Sequence, residues 1–460
     1  METILNPFNG EIAGHYTPAA LPAVRAALDS ARAAFAHTRH LPASERSALL
    51  SRVSELISKR IEPLAQLIRA EAGKPISLAR VEAERAAHTF SFAAQEAKAS
   101  HDRVVEVDAS APGRNHTGLA RRVPIGVILG ISPFNFPLNL VAHKVAPCIA
   151  TGNTMLLKPS PRTPLTALAL ADILSEAGAP SGQVQIVPFA HQLVPGLLEE
   201  SSVKMLTFTG SAAVGWGLKR LAVKQKVTLE LGGNAAVIVH SDAAWPAAVP
   251  LIAAAAFGYA GQSCISVQRI LVHSGIYDKF REAFIRHTET AIVTGDPGSD
   301  ATLNGPMIDA AARDRVLAWT REALECGAHC ALPLRQEGNC LWPIILENVP
   351  PEARIVSEEA FGPVALLSRY NGFDDALAEV NASRYGLQTG VFTATFDLAE
   401  RAFNAIDAGA VLINQVPTFR VENMPYGGVK ESGFGREGIR YAMEEMTEWK
   451  CFIVRLPAAE

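Results

Sequence analysis

The chain predicts an α/β fold divided into two domains, each built around a parallel sheet. Its 460 residues exceed what one hydrophobic core organises. Short apolar runs alternate with helical patterns over most of that length. A composition of 48% hydrophobic and 19% charged residues supplies core for both domains.

The first hundred residues are mostly helical in pattern. Leu49, Leu50, Val53, Leu56 and Ile57 mark one apolar face, and Leu64, Leu67, Ile68 and Ala72 mark the next, closed by Gly73 and Pro75. From Arg122 the texture changes to strand-like runs: Val127-Ile128-Leu129, Thr154-Met155-Leu156-Leu157, Gln185-Ile186-Val187 and Leu206-Thr207-Phe208. One intervening helix is punctuated by Thr163 as N-cap and Pro164 as first residue, with Leu170, Ile173, Leu174 and Ala177 before Gly178. A second alternating region runs from near Gly233 to about Lys430. Its candidate strands are Ala236-Val237-Ile238-Val239, Ile270-Leu271-Val272, Val364-Ala365-Leu366-Leu367 and Val411-Leu412-Ile413. Strands separated by helices imply sheets covered on both faces, and the two domains meet near residue 232. Residues 448–456 alternate like a strand without a later partner, so they need an edge within the chain or on another subunit.

A net charge of -4 gives no polybasic surface, which argues against nucleic acid or anionic lipid as main partner. The apolar stretch at 247–260 is interrupted by Pro250 and too short to cross a bilayer. The N-terminus has neither a basic head nor an apolar h-region, so a cytoplasmic location is expected. Six cysteines in a chain of this length form no disulfide framework. Cys326, His329 and Cys330 lie close together, but no second cluster supplies the remaining ligands, and no metal site is expected.

Three residues carry chemistry together. Cys264 stands in Gly261-Gln262-Ser263-Cys264, Glu230 in Leu229-Glu230-Leu231-Gly232-Gly233, and Asn135 in Pro133-Phe134-Asn135-Phe136-Pro137. A thiolate adds to an aldehyde carbonyl, hydride loss leaves a thioester, and water releases the acid. Those steps need a nucleophile, an oxyanion hole, a hydride acceptor and a base. Cys264 reads as the nucleophile against the commoner fate of a packing cysteine. Glu230, at a strand end before two glycines, reads as the base against a solvated surface carboxylate. The Asn135 amide, with the Cys264 N–H, reads as the oxyanion hole against a turn-forming asparagine. For the hydride acceptor, Thr207-Phe208-Thr209-Gly210-Ser211 reads as strand, glycine turn and helix start, whose N–H groups suit a pyrophosphate. Lys158-Pro159-Ser160 ends another strand of the same domain, within reach of an adenosine ribose.

Together these residues resemble the aldehyde dehydrogenase superfamily, from about Asn6 to the C-terminus. Further matching motifs are Glu359-Ala360-Phe361-Gly362-Pro363, Tyr385-Gly386-Leu387, and Met424-Pro425-Tyr426-Gly427-Gly428 followed by Lys430, Ser432 and Gly433. The resemblance implies two Rossmann-like α/β domains plus a small β oligomerisation arm. The cofactor-binding domain is then 1–105 and 125–232, with 431–445 returning to it. The catalytic domain is 233–430, and the arm is 106–124 with 446–460. It implies a homodimer or homotetramer, NAD or NADP as cofactor, and a small-molecule aldehyde as substrate. Lys144 resembles the lysine near the reacting centre. The implied cofactor residues are Ser132, Pro133, Phe134, Lys158, Ser160, Arg162, Gly210, Ser211, Val214, Leu231, Gly232, Glu359 and Phe361.

Two departures sharpen the expectation. NAD-preferring members often carry a glutamate three residues beyond the ribose lysine, where here Pro161 precedes Arg162. That predicts dual use of NAD and NADP, leaning to NADP. Asn139, Leu140 and His143 follow Asn135 where members acting on apolar aldehydes offer bulky apolar side chains, and Arg420 falls in the loop placed near the tunnel mouth. With Asn139, His143, Ser263 and Arg420 as substrate residues, the expected substrate is a small polar or anionic aldehyde: a hydroxyaldehyde, a semialdehyde, or a phosphono- or sulfo-aldehyde. Ser263 stands where some members that act on phosphorylated or phosphonate aldehydes have arginine, which weakens the strongly anionic version of this expectation. CoA-acylating relatives often lack the carboxylate at Glu230, so its presence favours hydrolysis. A catalytically silent relative predicts loss of thiol, carboxylate or amide, and all three are intact.

Overall fold

The structure is a computed structural model that describes residues 1–99 and 102–457. Its first large sheet has six strands in the order Gly433–Phe434, Lys226–Glu230, Val203–Thr209, Val127–Ile131, Thr154–Lys158 and Val184–Ile186. Five run parallel, and Gly433–Phe434 returns from near the C-terminus antiparallel to Lys226–Glu230. Strand order reverses at Val127–Ile131, whose successors lie on opposite sides of it. Loops that follow strands at such a switch diverge and leave a crevice for a ligand. Residues 132–138 and Gly210-Ser211 flank it.

The second sheet has seven strands in the order His329–Cys330, Ile344–Glu347, Val364–Tyr370, Val267–His273, Ala235–Val239, Gln388–Phe392 and Ala410–Ile413. All pairs are parallel except the first. Covered on both faces, Ala235–Val239 is buried at every position, which is why it reads as a continuous apolar run. Helices Ala43–Ser58, Ile61–Ala72, Ile76–Glu96 and Asn139–Thr151 pack around Leu50, Ile57, Ile68 and Phe90 beside the first sheet. Gly73, in a left-handed conformation, ends Ile61–Ala72 as its position predicts.

Two features differ from the expectation, and a third, the C-terminal strand, takes one of its two expected edges. The chain begins with a two-stranded hairpin, Glu2–Leu5 and Ile12–Tyr16, ahead of the helical region. Thr163 does not cap the following helix, which runs Leu165–Glu176. The buried Glu71 carboxylate does so instead, accepting from Leu165 N–H at 2.8 Å and Thr166 N–H at 2.9 Å, while the Thr163 hydroxyl donates to the Phe134 carbonyl. The C-terminal strand Thr447–Arg455 finds its edge within the chain, pairing antiparallel with His116–Pro124 over nine positions. Arg103–Val105 joins the far side of that sheet. The arm-like sheet therefore starts three residues before the expected boundary at 106, because residues 103–105 bond to 118–120. Residues 100, 101 and 458–460 of the expected segments lie outside the described residues.

Candidate active site

The loop that carries Cys264 is held in a costly conformation. After helix Trp245–Phe257 the chain turns through Tyr259, Ala260 and Gly261 with φ of 52°, 53° and 65°. Left-handed backbone at the two non-glycine residues costs about 1–3 kcal/mol each. Surrounding contacts offset this. Tyr259 N–H donates to the Leu303 carbonyl at 2.8 Å. The Gln262 side chain donates to the carbonyls of Tyr259 and Pro306 and accepts from Ile308 N–H at 2.8 Å. A Cβ on Gly261 would lie 2.1 Å from the Gly362 carbonyl oxygen, so only glycine passes there.

The turn delivers Cys264 to the wall of a cavity of about 390 Å³, shared with Asn135, Glu230, Tyr426, Arg420 and Glu437. Asn135 donates from Nδ2 to the Gln262 carbonyl at 3.0 Å. This ties its amide to the Cys264 loop and leaves its other N–H free to aim elsewhere. Glu230 ends strand Lys226–Glu230, and the next turn touches the cysteine: a Cβ on Gly233 would lie 2.1 Å from the Cys264 carbonyl oxygen. Thiol, amide and carboxylate, far apart in sequence, thus line one crevice between the sheets.

Electrostatics separate their roles. Both Glu230 oxygens are buried without a hydrogen-bond partner in the described structure. Burial, then the neighbouring Glu437 carboxylate, pushes the Glu230 carboxyl well above the usual range, opposed by Arg420, Lys144 and Arg436. A carboxyl so raised binds a proton more readily than an ordinary carboxylate, as a general base must. Burial pushes the Cys264 thiol up to about 12, with Glu359 and Glu230 adding to it and Tyr426 and Arg420 opposing it. Glu437 behaves oppositely to Glu230. Burial raises it, but Lys144 and Arg420 outweigh this and hold it at about 2. Lys144 Nζ donates to Glu437 Oε1 at 2.9 Å and to Thr207 Oγ1 at 3.1 Å. Lys144 therefore anchors a carboxylate of the cavity wall.

The Lys144–Glu437 pair carries a stability prediction. Glu437→Gln leaves the fully buried ammonium unpaired and lowers stability by about 3–5 kcal/mol, read as a fall in thermal midpoint. Because the folded-state pKa is depressed, the native pair's contribution is full above the ordinary glutamate value near 4.3. It is lost as pH falls from there through about 2.

The residues expected to hold the cofactor have surroundings that suit a dinucleotide. Helix Ala212–Leu221 begins after Ser211 with no side-chain cap, leaving its first N–H groups for an anion. The Ser132 and Thr209 hydroxyls are buried without partners beside this crevice. Lys158 is buried, its ammonium only 3.5 Å from the Pro159 carbonyl, and its pKa is lowered by burial. It lines a second cavity of about 290 Å³ with Pro159, Pro161, Phe189 and, unexpectedly, Glu2 and Tyr16. Phe134 and Phe361 meet edge to face at 5.8 Å. Glu359 accepts from Gly233 N–H at 2.9 Å and so turns toward the Glu230 turn. Ser160 accepts from Arg162 N–H. Arg162 itself reaches Asp309 at 2.7 Å, so its charge is spent on the second domain rather than on the Lys158 cavity. Gly210 N–H donates to the Glu230 carbonyl, and Leu231 N–H to that of Ser432. Val214 is exposed. A Cβ on Gly232 would meet the Glu359 carboxylate.

A model of the aldehyde dehydrogenase family matches residues 2–452. The chain belongs to this family. It is an NAD(P)-dependent oxidoreductase acting on aldehyde groups. Among its relatives, 3-sulfolactaldehyde dehydrogenase of Priestia megaterium is 42% identical over 89% of this chain and 86% of the relative. Sulfoacetaldehyde dehydrogenase of Neptuniibacter caesariensis is 35% identical over 98% and 99%. Aldehyde dehydrogenase 21 of Physcomitrella patens, solved with the reaction product succinate, superposes with a TM-score of 0.97 at 38% identity, covering 100% of this chain and 95% of that one.

Within this aldehyde dehydrogenase the expected substrate residues divide. Arg420 and Ser263 line the 390 Å³ cavity, as does Asn139, whose Oδ1 accepts from the Thr89 hydroxyl. His143 is 1% exposed and lies behind the cavity wall, its Nε2 bonded to Glu422. Burial and the Arg420 cation lower its pKa. Among the cavity-lining groups not singled out from sequence as site residues are Arg85, paired with Glu422 at 2.6 Å, Tyr426, and Glu437. Of these, the tyrosine alone lies in a recognisable motif.

Proposed function

We propose that this enzyme oxidises a small anionic aldehyde, a semialdehyde or a sulfo-aldehyde, to the carboxylic acid. The carrying observation is a cavity lined by Leu78, Val81, Leu251, Leu303 and Val416 together with two arginines, Arg85 and Arg420, of which Arg85 pairs with Glu422 and Arg420 stands 3.5 Å from Glu437. An apolar wall favours burying a short chain, and a guanidinium fork suits a carboxylate or sulfonate. The names of the sulfolactaldehyde and sulfoacetaldehyde relatives support the same class.

In this reading the Cys264 proton passes to Glu230, and the thiolate adds to the aldehyde carbon. The carbonyl π pair moves to oxygen, held by the free Asn135 N–H and the Cys264 N–H. Bound nicotinamide supplies the acceptor for the hydride that leaves the same carbon. Glu230, again deprotonated, takes a proton from water that attacks the resulting Cys264 thioester, and the acid leaves as the thiol is restored. We assign the dinucleotide's pyrophosphate to the Ser211 helix start, its adenosine ribose to Lys158, and its nicotinamide end to Phe361 and Glu359. The free cysteines suit a reducing compartment, and we place the enzyme in the cytoplasm. The Thr447–Arg455 strand, on the edge of a sheet and bearing exposed Trp449 and Phe452, supports assembly as a homodimer or homotetramer.

Assay with succinic semialdehyde, sulfoacetaldehyde and propanal, without CoA, tests this reading. Acid formation with kcat/KM highest for the two anions supports it; propanal as best substrate overturns it. The same assay with each cofactor tests dual use. Pro161 leaves the ribose loop without a carboxylate, but Arg162 is drawn to Asp309 and Glu2 enters the cavity, so the lean to NADP is weakened. Use of both within about tenfold is expected; a hundredfold preference for NAD ends the idea.

A further inference from the structure

The Tyr426 hydroxyl oxygen lies 3.2 Å from Cys264 Sγ. Tyr426 is 4% exposed, and its ring packs with Ile265 and Leu387 around the cysteine. The Arg420 guanidinium carbon stands 3.7 Å from the ring centroid. A thiolate in this apolar setting needs a donor, because burial alone disfavours the charged sulfur. We propose that Tyr426 is a catalytic residue: its O–H donates to the Cys264 thiolate, with Arg420 over the ring making the hydroxyl a stronger donor. This rests on Cys264 being the nucleophile.

The direction of donation follows from the surroundings. Burial, reinforced by Cys264 and Glu230, pushes the tyrosine well above its ordinary value despite Arg420, and a thiol is intrinsically more acidic than a phenol, so the hydroxyl donates and the sulfur accepts. The groups acting on the sulfur are Tyr426 and Arg420 on one side and the Glu359 and Glu230 carboxylates on the other. On ionisation the S–H bond breaks, the proton goes to Glu230, and the electron pair stays on Sγ. When Sγ bonds to the aldehyde carbon the charge leaves sulfur for oxygen. The tyrosine bond then weakens as the Asn135 bond strengthens. Tyr426 thus supports formation of the nucleophile, and Asn135 supports the charge that follows.

The test is the pH dependence of iodoacetamide alkylation, followed on the peptide bearing Cys264 so that exposed Cys326 and Cys451 do not contribute. In Tyr426→Phe the inflection moves up by about one to two pH units, with a matching tenfold to hundredfold loss of alkylation rate at pH 7. Replacing Tyr426 by 3-fluorotyrosine, isosteric and a stronger donor, moves the inflection down and serves if the phenylalanine variant does not fold. Profiles that coincide with the native enzyme's in whichever variant folds overturn the proposal. Cys264→Ala tested separately keeps the two claims distinct: full turnover in that variant removes the nucleophile itself.

Discussion

Glu230→Gln releases one burst of reduced nicotinamide, no larger than the enzyme concentration, and then nearly stops. The amide keeps the shape of the side chain but cannot take a proton from water, so the Cys264 thioester accumulates. General-base catalysis is worth about 10²–10⁴-fold, and steady turnover falls by that factor. The structure makes the effect large because nothing nearby substitutes. Glu437 is the adjacent carboxylate, but its depressed pKa and its bond to Lys144 make it a poor base. Burial pushes the Glu359 carboxyl up to about 7 and Gly233 N–H holds only one of its oxygens, but in this mechanism it is engaged by the nicotinamide end of the dinucleotide. Because Glu230 also takes the thiol proton in this mechanism, the burst itself slows, and its amplitude rather than its rate is diagnostic. Normal steady turnover in Glu230→Gln removes it as the base.

Arg420→Ala raises KM for sulfoacetaldehyde or succinic semialdehyde roughly ten- to hundredfold more than for propanal, the loss expected for a charged hydrogen bond. The comparison between substrates matters because Arg420 does three things. It faces the cavity, covers the Tyr426 ring, and stands 3.5 Å from Glu437. Losing the second and third affects every aldehyde alike, through the thiol and the carboxylate pair. Only loss of the first discriminates by substrate charge. Equal increases for anionic and neutral aldehydes end the claim that this arginine selects anions.

The strand positions were readable because a doubly covered sheet writes itself as apolar runs. Val127–Ile131 and Ala235–Val239 are buried at every residue and stand out in the chain. Gln388–Phe392 is equally buried but begins Gln-Thr-Gly, so its polar side chains, one bonded to the Pro417 carbonyl, hide it. Cys264, Glu230 and Asn135 were legible because each lies in a turn whose glycines or prolines flag it. The partners of Lys144 and His143 were not. Glu437 and Glu422 are about 280–290 residues away, and no local pattern marks a carboxylate that will meet a buried cation. Glu71 shows the same limit, displacing the cap that Thr163 promised. Local signals describe elements; charge pairing across the fold appears only when those elements meet.

The return of residues 433–437 to the first sheet has a consequence for biosynthesis. Both large sheets except one short strand are complete once residue 413 has been made, yet the partner of Lys144 and the strand bordering Glu230 come later. A polypeptide released prematurely after residue 430 would present two nearly finished lobes with an uncompensated ammonium between them. Such truncated products are expected to be inactive and readily cleared, so measurable turnover doubles as a certificate that translation passed residue 437.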